Sequence, residues 1–238
     1  GALGGWIEKE SNLSVSGDAW VYRDAQVFGN ARVSGNAWVS GDAQVSGKAQ
    51  VFGNAQVFGK AQVFGNAWVF DNAQVYGDAQ VYGDAWVYGK AWVFDNAQVY
   101  GDAWVFDNAQ VYGDARVFGK AWVFGKAQVY GDAWVFGKAQ VYGDARVFGK
   151  AWVFGVNLMT QRSDGYAFTL APTPDGPRII AGCRYFTEAE AKAHWGAADY
   201  RDPALGKESL LIVKHLMALA KHRGLHRPVK DERQECVA

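Results

Sequence analysis

The sequence predicts an all-β solenoid, a parallel β-helix of triangular cross-section, followed by a small α+β domain. Valine recurs at every sixth position from Val15 to Val153, and an alanine follows four positions after nearly every valine. Between them lies a Gly-Asp, Gly-Asn or Gly-Lys pair, as in Gly59-Lys60. Tandem self-similarity at a fixed short period is typical of repeat proteins, whose units bury their apolar faces only against neighbouring units.

Each hexapeptide predicts one short strand and one corner. In Ala61-Gln62-Val63-Phe64, strand alternation places Ala and Val on one side and the variable residues on the other. The constant Ala/Val side is therefore the predicted core. Glycine supplies the backbone freedom of the corner. Where glycine is missing, Asp tolerates the left-handed conformation, and Arg23 is the exception to this rule; the replacing aspartates are Asp71, Asp95 and Asp107.

A strand and a corner every six residues predict a coil with three sides and 18 residues per turn. Such coils stack about 4.8 Å apart, so about eight of them give a shaft of roughly 35 to 40 Å. The predicted organisation is an N-terminal cap at 1–14, the solenoid at 15–156 and a C-terminal α+β domain at 157–238. We expect Trp6 and Ile7 to plug the first coil, because terminal coils need caps.

Two resemblances extend this interpretation. The aliphatic residue followed four positions later by a small one resembles the left-handed parallel β-helix of hexapeptide-repeat proteins, which implies a left hand. The leader Gly4-Gly5-Trp6-Ile7-Glu8-Lys9-Glu10 with Gly-Asp-Ala-x-Val-Tyr repeats resembles a group of uncharacterised bacterial and phage-borne proteins with such repeats. This second resemblance implies a phage or prophage setting, and by analogy an antagonist of a host defence system.

The outward residues form columns that repeat every 18 positions. One column carries four tryptophans, and a second column of Phe and Tyr stands beside it. Stacked side chains support one another as ladders, but three aromatic faces exceed the apolar surface that a monomer usually exposes. We therefore predict that the tryptophan side binds a partner, a ligand ring or a second subunit. The predicted binding residues are Trp68, Trp86, Trp104, Trp122, Phe70, Tyr88 and Phe106.

The C-terminal region has a different pattern. Strands are predicted at Tyr166 to Leu170 and at Arg178 to Cys183, joined by a Pro- and Gly-rich turn. The capping box Thr187-Glu188-Ala189-Glu190 begins a short helix to about Trp195. An amphipathic helix is predicted from Glu208 to Arg223, ended by Gly224. The tail after Pro228 is charged, and we expect it to be loose.

No catalytic, metal or cofactor site is predicted. Enzymes on this kind of solenoid use a histidine, yet all four histidines lie in the C-terminal domain. His215 and His222 lack visible further zinc ligands, and we expect Cys183 to pack at a strand end rather than to form a nucleophile pair with His194. The sequence also has no phosphate loop and no dinucleotide fingerprint. A non-enzymatic protein is expected.

Composition agrees with a soluble, intracellular protein, and the resemblance to phage-borne proteins implies the cytoplasm of a bacterial host. Lys and Arg number 24 and Asp and Glu number 24, so the net charge does not favour nucleic-acid binding. A column of corner aspartates including Asp24 and Asp42 could mimic DNA, but Lys60 and Lys150 interrupt it. No membrane span or export signal is visible in the sequence, and two cysteines are too few for a disulfide framework.

Three function classes remain open. The first is a scaffold that binds a host or phage protein and forms a homo-oligomer, with a dimer expected, since the C-terminal domain could mediate assembly or partner capture. The second is a ligand-binding module in which Trp and Tyr ladders stack on sugar or nucleobase rings. The third is a divergent acyltransferase with its site between subunits. The first is favoured because the repeats carry no catalytic residue.

Overall fold

The chain is a three-sided parallel β-solenoid with a small α+β domain on its C-terminal end. The structure is a computed structural model, and it describes residues 4–154, 158–173 and 175–225. Within these residues, three parallel sheets of nine, seven and eight strands form the sides of the shaft, and a fourth, antiparallel sheet has four strands. The predicted fold class and the number of about eight coils are confirmed.

Three names identify the sides of the shaft. The glutamine face contains Trp6–Ile7, Gln26–Val27, Gln44–Val45, Gln62–Val63, Gln80–Val81, Gln98–Val99, Arg116–Val117, Trp134–Phe136 and Trp152–Phe154. The tryptophan face contains Arg32–Val33, Gln50–Val51, Trp68–Val69, Trp86–Val87, Trp104–Val105, Trp122–Val123 and Gln140–Val141. The mixed face contains Trp20–Val21, Trp38–Val39, Gln56–Val57, Gln74–Val75, Trp92–Val93, Gln110–Val111, Gln128–Val129 and Arg146–Val147.

The core of the shaft consists of the repeated alanines and valines. From Ala25 to Ala151 these residues are fully buried in one continuous cluster. Each strand pairs in parallel with the strand 18 residues later, so that valine lies on valine, as Val69 does on Val87. Backbone amides bond the coil above at a regular spacing, for example Trp68 N–H to the Ala85 carbonyl at 2.9 Å. The inside and outside of the repeat are as predicted.

The corners explain why glycine recurs. From Gly29 to Gly149 the corner glycines have φ between 64° and 73°, and a Cβ at Gly59 would lie 3.0 Å from the Gly77 nitrogen. Both the left-handed backbone and the stacked corner above therefore favour glycine. The predicted exceptions Asp71, Asp95 and Asp107 have φ of 58° to 60°, and Arg23 has φ of 60°. The aspartates add a compensating contact, because the carboxylate of Asp107 accepts from the Gly125 amide at 3.2 Å.

The N-terminal segment closes the first coil, although not as its sequence suggested. Ile7 packs against the core, but Trp6 is exposed and extends the glutamine face over Gln26. A 3-10 helix at Glu10–Asn12 follows, and the buried Asn12 side chain donates to the carbonyls of Gly29 and Ala31. Val15 is fully exposed, and the first buried valine of the repeat is Val21. The chain crosses the end of the shaft here, so Leu13 rather than Val15 pairs with Val33.

The C-terminal domain forms two layers over the last coil. Its antiparallel sheet has the order Leu158–Gln161, Ala167–Ala171, Arg178–Ala181, Arg184–Phe186. Ala171 and Ile180 on one side of the sheet join the core of the solenoid. Phe168 and Ile179 on the other side pack against the two helices, which are α1 at Glu188–Trp195 and α2 at Pro203–His222. One sheet therefore serves two cores and closes the C-terminal end of the shaft.

Several details of this domain differ from the sequence-based expectations. The strands at Leu158–Gln161 and Arg184–Phe186 were not predicted. Helix α2 begins at Pro203 rather than Glu208, because the Asp202 carboxylate accepts from the Ala204 and Leu205 amides at 3.0 and 3.1 Å. The exposed Cys183 lies in the turn before Arg184 and does not pack at a strand end. The domain boundary at 156/157 and the tail after Pro228 lie outside the described residues.

Candidate functional site

The four predicted tryptophans form one continuous stack on the tryptophan face. The ring centroids of Trp68 and Trp86 are 5.0 Å apart, those of Trp86 and Trp104 5.1 Å, and those of Trp104 and Trp122 5.2 Å. The rings are parallel to within 7°. This arrangement follows from the register, since parallel in-register strands place identical side chains at the spacing of the coils.

The Phe and Tyr column interlocks with this stack. Phe70, Tyr88 and Phe106 stack on one another at 4.9 and 5.0 Å. Each also meets the tryptophan of the next coil edge-on, as Phe70 meets Trp86 at 6.0 Å and an angle of 78°. Such edge-to-face and stacked pairs contribute about 0.5–1.5 kcal/mol each beyond burial. The structure thus brings all seven predicted residues together into one flat aromatic surface.

The stack ends at Trp122, where the surface becomes concave. The next coil carries Gln140 in place of a tryptophan, and Trp122 is 37% exposed, whereas the other three are half-buried by their neighbours. A depression of about 370 Å³ lies here. It is lined by Asp102, Trp104, Lys120, Trp122, Lys138 and Gln140. An aromatic floor beside two lysines is the most distinctive feature of the face.

The hydroxyl groups of this surface are not prepared for acid–base chemistry. Burial raises the pKa of the Tyr88 hydroxyl, and the carboxylates of Asp107 and Asp71 raise it further. Tyr88 therefore stays protonated at neutral pH and can serve only as a hydrogen-bonding and stacking group. No cluster of His, Cys, Asp and Glu that could hold a metal ion occurs among the described residues.

A second group of exposed tryptophans was not predicted as a binding surface. Residues 31–48 form one coil in which serine replaces Phe or Tyr on every face, at Ser34, Ser40 and Ser46. Trp38 therefore has no neighbouring ring of its own coil to pack against and is 57% exposed, and Trp20 below it is 47% exposed. The three serines at positions that carry Phe or Tyr in other coils were the sequence signal that could have identified these exposed tryptophans.

Glutamines follow one another along the glutamine face from Gln26 to Gln98, where side-chain amides of neighbouring coils could bond one another. Within residues 4–154 the stacked glutamine contact is Gln128 to Gln110 at 3.4 Å, on the mixed face. The column from Gln26 to Gln98 forms no such bond. The regular spacing fixes the backbone register, but it does not fix the rotamer that two amide groups need to meet.

Comparison with known proteins agrees with this architecture. Five segments of the chain match a family model described as YdcK Beta solenoid repeat, namely residues 25–41, 61–77, 79–95, 109–125 and 139–155. The chain is a β-solenoid repeat protein. No curated protein matches this β-solenoid significantly. Among its described residues, no helix is long and apolar enough to cross a membrane.

Proposed function

We propose that this β-solenoid is a non-enzymatic scaffold that binds a protein partner through its tryptophan face. The observation that carries the proposal is the concave end of the Trp stack, which is lined by two tryptophan rings together with Lys120, Lys138 and Asp102. Tryptophan is enriched among the residues that dominate binding energy, and it brings a large area at low entropic cost. The repeats supply a rigid support, since each ring is held by rings above and below.

The depression indicates the chemistry of the partner. Its volume of about 370 Å³ lies at the lower end of the range of small-molecule sites and can hold one or two side chains of a protein. An apolar side chain would cover Trp104 and Trp122, and a carboxylate beside it would pair with Lys120 or Lys138. Because Asp102 also lines the depression and offsets one of the two lysines, the partner is a protein surface with an apolar protrusion beside a single acidic residue.

The leader and the repeats also indicate where the partner is met. The leader and repeats resemble phage-borne proteins, so the partner is a protein of the bacterial host or of the phage, met in the cytoplasm. Antagonism of a host defence protein would need only such a contact and no catalysis. A binding scaffold without catalytic residues is compatible with that role.

The test compares two tryptophan variants of similar exposure. Trp122→Ala removes the floor of the depression, while Trp92→Ala removes a tryptophan of 39% exposure on the mixed face, compared with 37% for Trp122. Tagged wild type and both variants are used to capture proteins from lysates of phage-infected bacteria, with quantification by mass spectrometry. We expect a stoichiometric partner whose recovery falls about tenfold or more with Trp122→Ala and stays unchanged with Trp92→Ala.

A folding control and a charge-reversal variant complete the test. Circular dichroism and thermal melting establish that both variants retain the solenoid. Lys120→Glu plus Lys138→Glu tests the two lysines, and it should also abolish capture. Equal capture by all variants would exclude the tryptophan face as the binding surface and would leave the C-terminal domain and the exposed Trp20 and Trp38 of the mixed face as candidates.

A further inference from the structure

The C-terminal domain contains a larger cavity, which is lined by residues between 162 and 205 and by none of the tryptophan face. It encloses about 620 Å³ between the hairpin at 161–167, the strand Arg184–Phe186 and the connection from α1 to α2. This size falls within the range of small-molecule sites. The groups on which its chemistry depends are Arg162, Tyr166, Arg184, His194, Tyr200 and Arg201.

One wall of the cavity is held rigidly by Arg162. This arginine is 7% exposed and forms a two-point pair with Asp164, at 2.9 and 2.7 Å. Its remaining nitrogen donates to the Ser209 hydroxyl at 2.9 Å and to the Tyr200 hydroxyl at 3.4 Å. The pair lowers the pKa of Asp164 to about 2. Arg162 and Asp164 thus neutralise each other and hold the hairpin against α2, so neither is left to bind a ligand by charge.

The remaining lining charges are two arginines and two aspartates, and among the described residues the arginines are the positive groups left without a partner. Of the other lining carboxylates, Asp202 keeps its charge, but it accepts from the first amides of α2 and faces the positive end of that helix, whereas Asp199 forms no hydrogen bond or ion pair within the described residues. Arg184 and Arg201 also line the cavity, and neither side chain makes an ion pair or hydrogen bond within the described part of the chain. Two free guanidinium groups on one cavity are suited to a carboxylate or a phosphate.

The other walls are aromatic. The His194 ring lies 5.6 Å from Tyr200 and 5.2 Å from Phe186. Burial lowers the pKa of His194, and the charge of Arg184 lowers it further, so the imidazole is neutral at pH 7. The Tyr166 ring lies under the Arg162 guanidinium at 4.9 Å, and its hydroxyl donates to the Ala181 carbonyl. These fixed rings present flat surfaces to a planar group.

We propose that this cavity binds a small planar anion, a ring that carries a carboxylate or a phosphate. Arg184 and Arg201 hold the anionic group, and the ligand ring lies flat on one of Tyr200 and His194 and edge-on to the other, because the planes of these two rings are 83° apart. The site is independent of the tryptophan face, since its residues belong to another domain. A protein partner and a small anion could therefore bind the same molecule at once.

The test uses the full chain and simple probes. 4-Hydroxybenzoate represents the carboxylate, phenyl phosphate represents the phosphate, and 4-hydroxybenzamide is the uncharged control. The four histidines of the chain allow their imidazole signals to be followed one by one by NMR, with His194→Gln to assign the relevant signal. We expect one of the anions to shift the His194 signal saturably, while the amide does not. The anion that binds more tightly identifies the class.

Two variants that each lose two positive charges distinguish binding in the cavity from non-specific attraction of an anion to the protein. Arg184→Gln plus Arg201→Gln removes two charges from the cavity, while Lys207→Gln plus Lys214→Gln removes two exposed charges of α2 outside it. The arginine variant should bind the anion about tenfold or more weakly, and the lysine variant should bind as wild type does. The proposal is wrong if neither anion shifts His194, if the amide binds equally well, or if both variants lose affinity to the same degree.

Discussion

At the scale of single residues, the constant positions of the repeat are determined by side-chain volume in the core and by backbone preference at the corners. Val and Ala fill the shaft, and the corner residue adopts a left-handed conformation. Both features could be predicted from the sequence, because they recur in every coil without change of chemistry. The carboxylate of Asp107 bonding the Gly125 amide could not, since that contact depends on the distance between two corners.

The first prediction concerns the volume of the core. Ala91 is fully buried in the middle of the shaft, so Ala91→Leu should overpack one coil and lower the free energy of unfolding by roughly 1–3 kcal/mol. Gln80→Leu is the matched control, because Gln80 points outward and the same residue is introduced. Thermal or denaturant unfolding measures both. Equal destabilisation by the two changes would contradict the inside and outside of the repeat.

At the scale of structural elements, the molecule consists of strands of two or three residues in the shaft that are stable only as members of columns. The sequence predicted the columns from the period of 18 and placed the tryptophan stack correctly. It did not predict that the stack would end in a depression. That feature depends on Gln140 following Trp122, on the neighbouring lysines, and on how far each ring is covered.

The C-terminal domain was predicted less completely for a related reason. The strand Leu158–Gln161 is irregular in pattern, and Arg184–Phe186 is only three residues long, so neither shows a clear period. Likewise, the cavity beside His194 joins residues from 162 to 205, which no local pattern could bring together. The apolar arc of α2 was predicted, and it is covered by the domain's own sheet, with Val213 and Leu216 buried.

The second prediction concerns the coil of residues 31–48, where serines interrupt the columns of Phe and Tyr. On the mixed face, rings stack from Phe58 onward, with Phe58 and Tyr76 4.8 Å apart, while Ser40 occupies the preceding position. Ser40→Tyr should extend the stack by one ring and raise the free energy of unfolding by about 0.5–1.5 kcal/mol. It should also reduce the exposure of Trp38. Thermal unfolding tests the first effect and iodide quenching of tryptophan fluorescence the second.

Ser40→Ala serves as the control, because it removes the hydroxyl without adding a ring. A stability gain of equal size in both variants would show that the serine hydroxyl, rather than the missing ring, limits the stability of this coil. No gain with tyrosine would indicate that the column does not continue through the position.

At the scale of the whole molecule, both ends of the shaft are closed. Asn12 and Ile7 cover the first coils, and the sheet containing Ala171 and Ile180 covers the last. Exposed strand edges at the ends of a solenoid would pair with another copy and lead to filaments. Closed ends prevent this end-to-end association. Association between copies is then left to the sides of the shaft and to the C-terminal domain, and on the shaft the exposed aromatic residues concentrate near the N-terminal end.

The final prediction is that the protein is a dimer through the first coils of the mixed face. Trp20, Tyr22 and Trp38 are exposed on successive coils there, and a contiguous apolar patch of this kind rarely stays open on a monomer. A two-fold pair is the commonest closed assembly, and it would cover both patches at once. Light scattering should give twice the chain mass of 26.0 kDa. Trp20→Ser plus Trp38→Ser should give single chains, whereas Trp92→Ser, on the same face but farther along the shaft, should remain dimeric. A single-chain mass for the wild type would refute the dimer, and a dimer in the double variant would move the interface to another face.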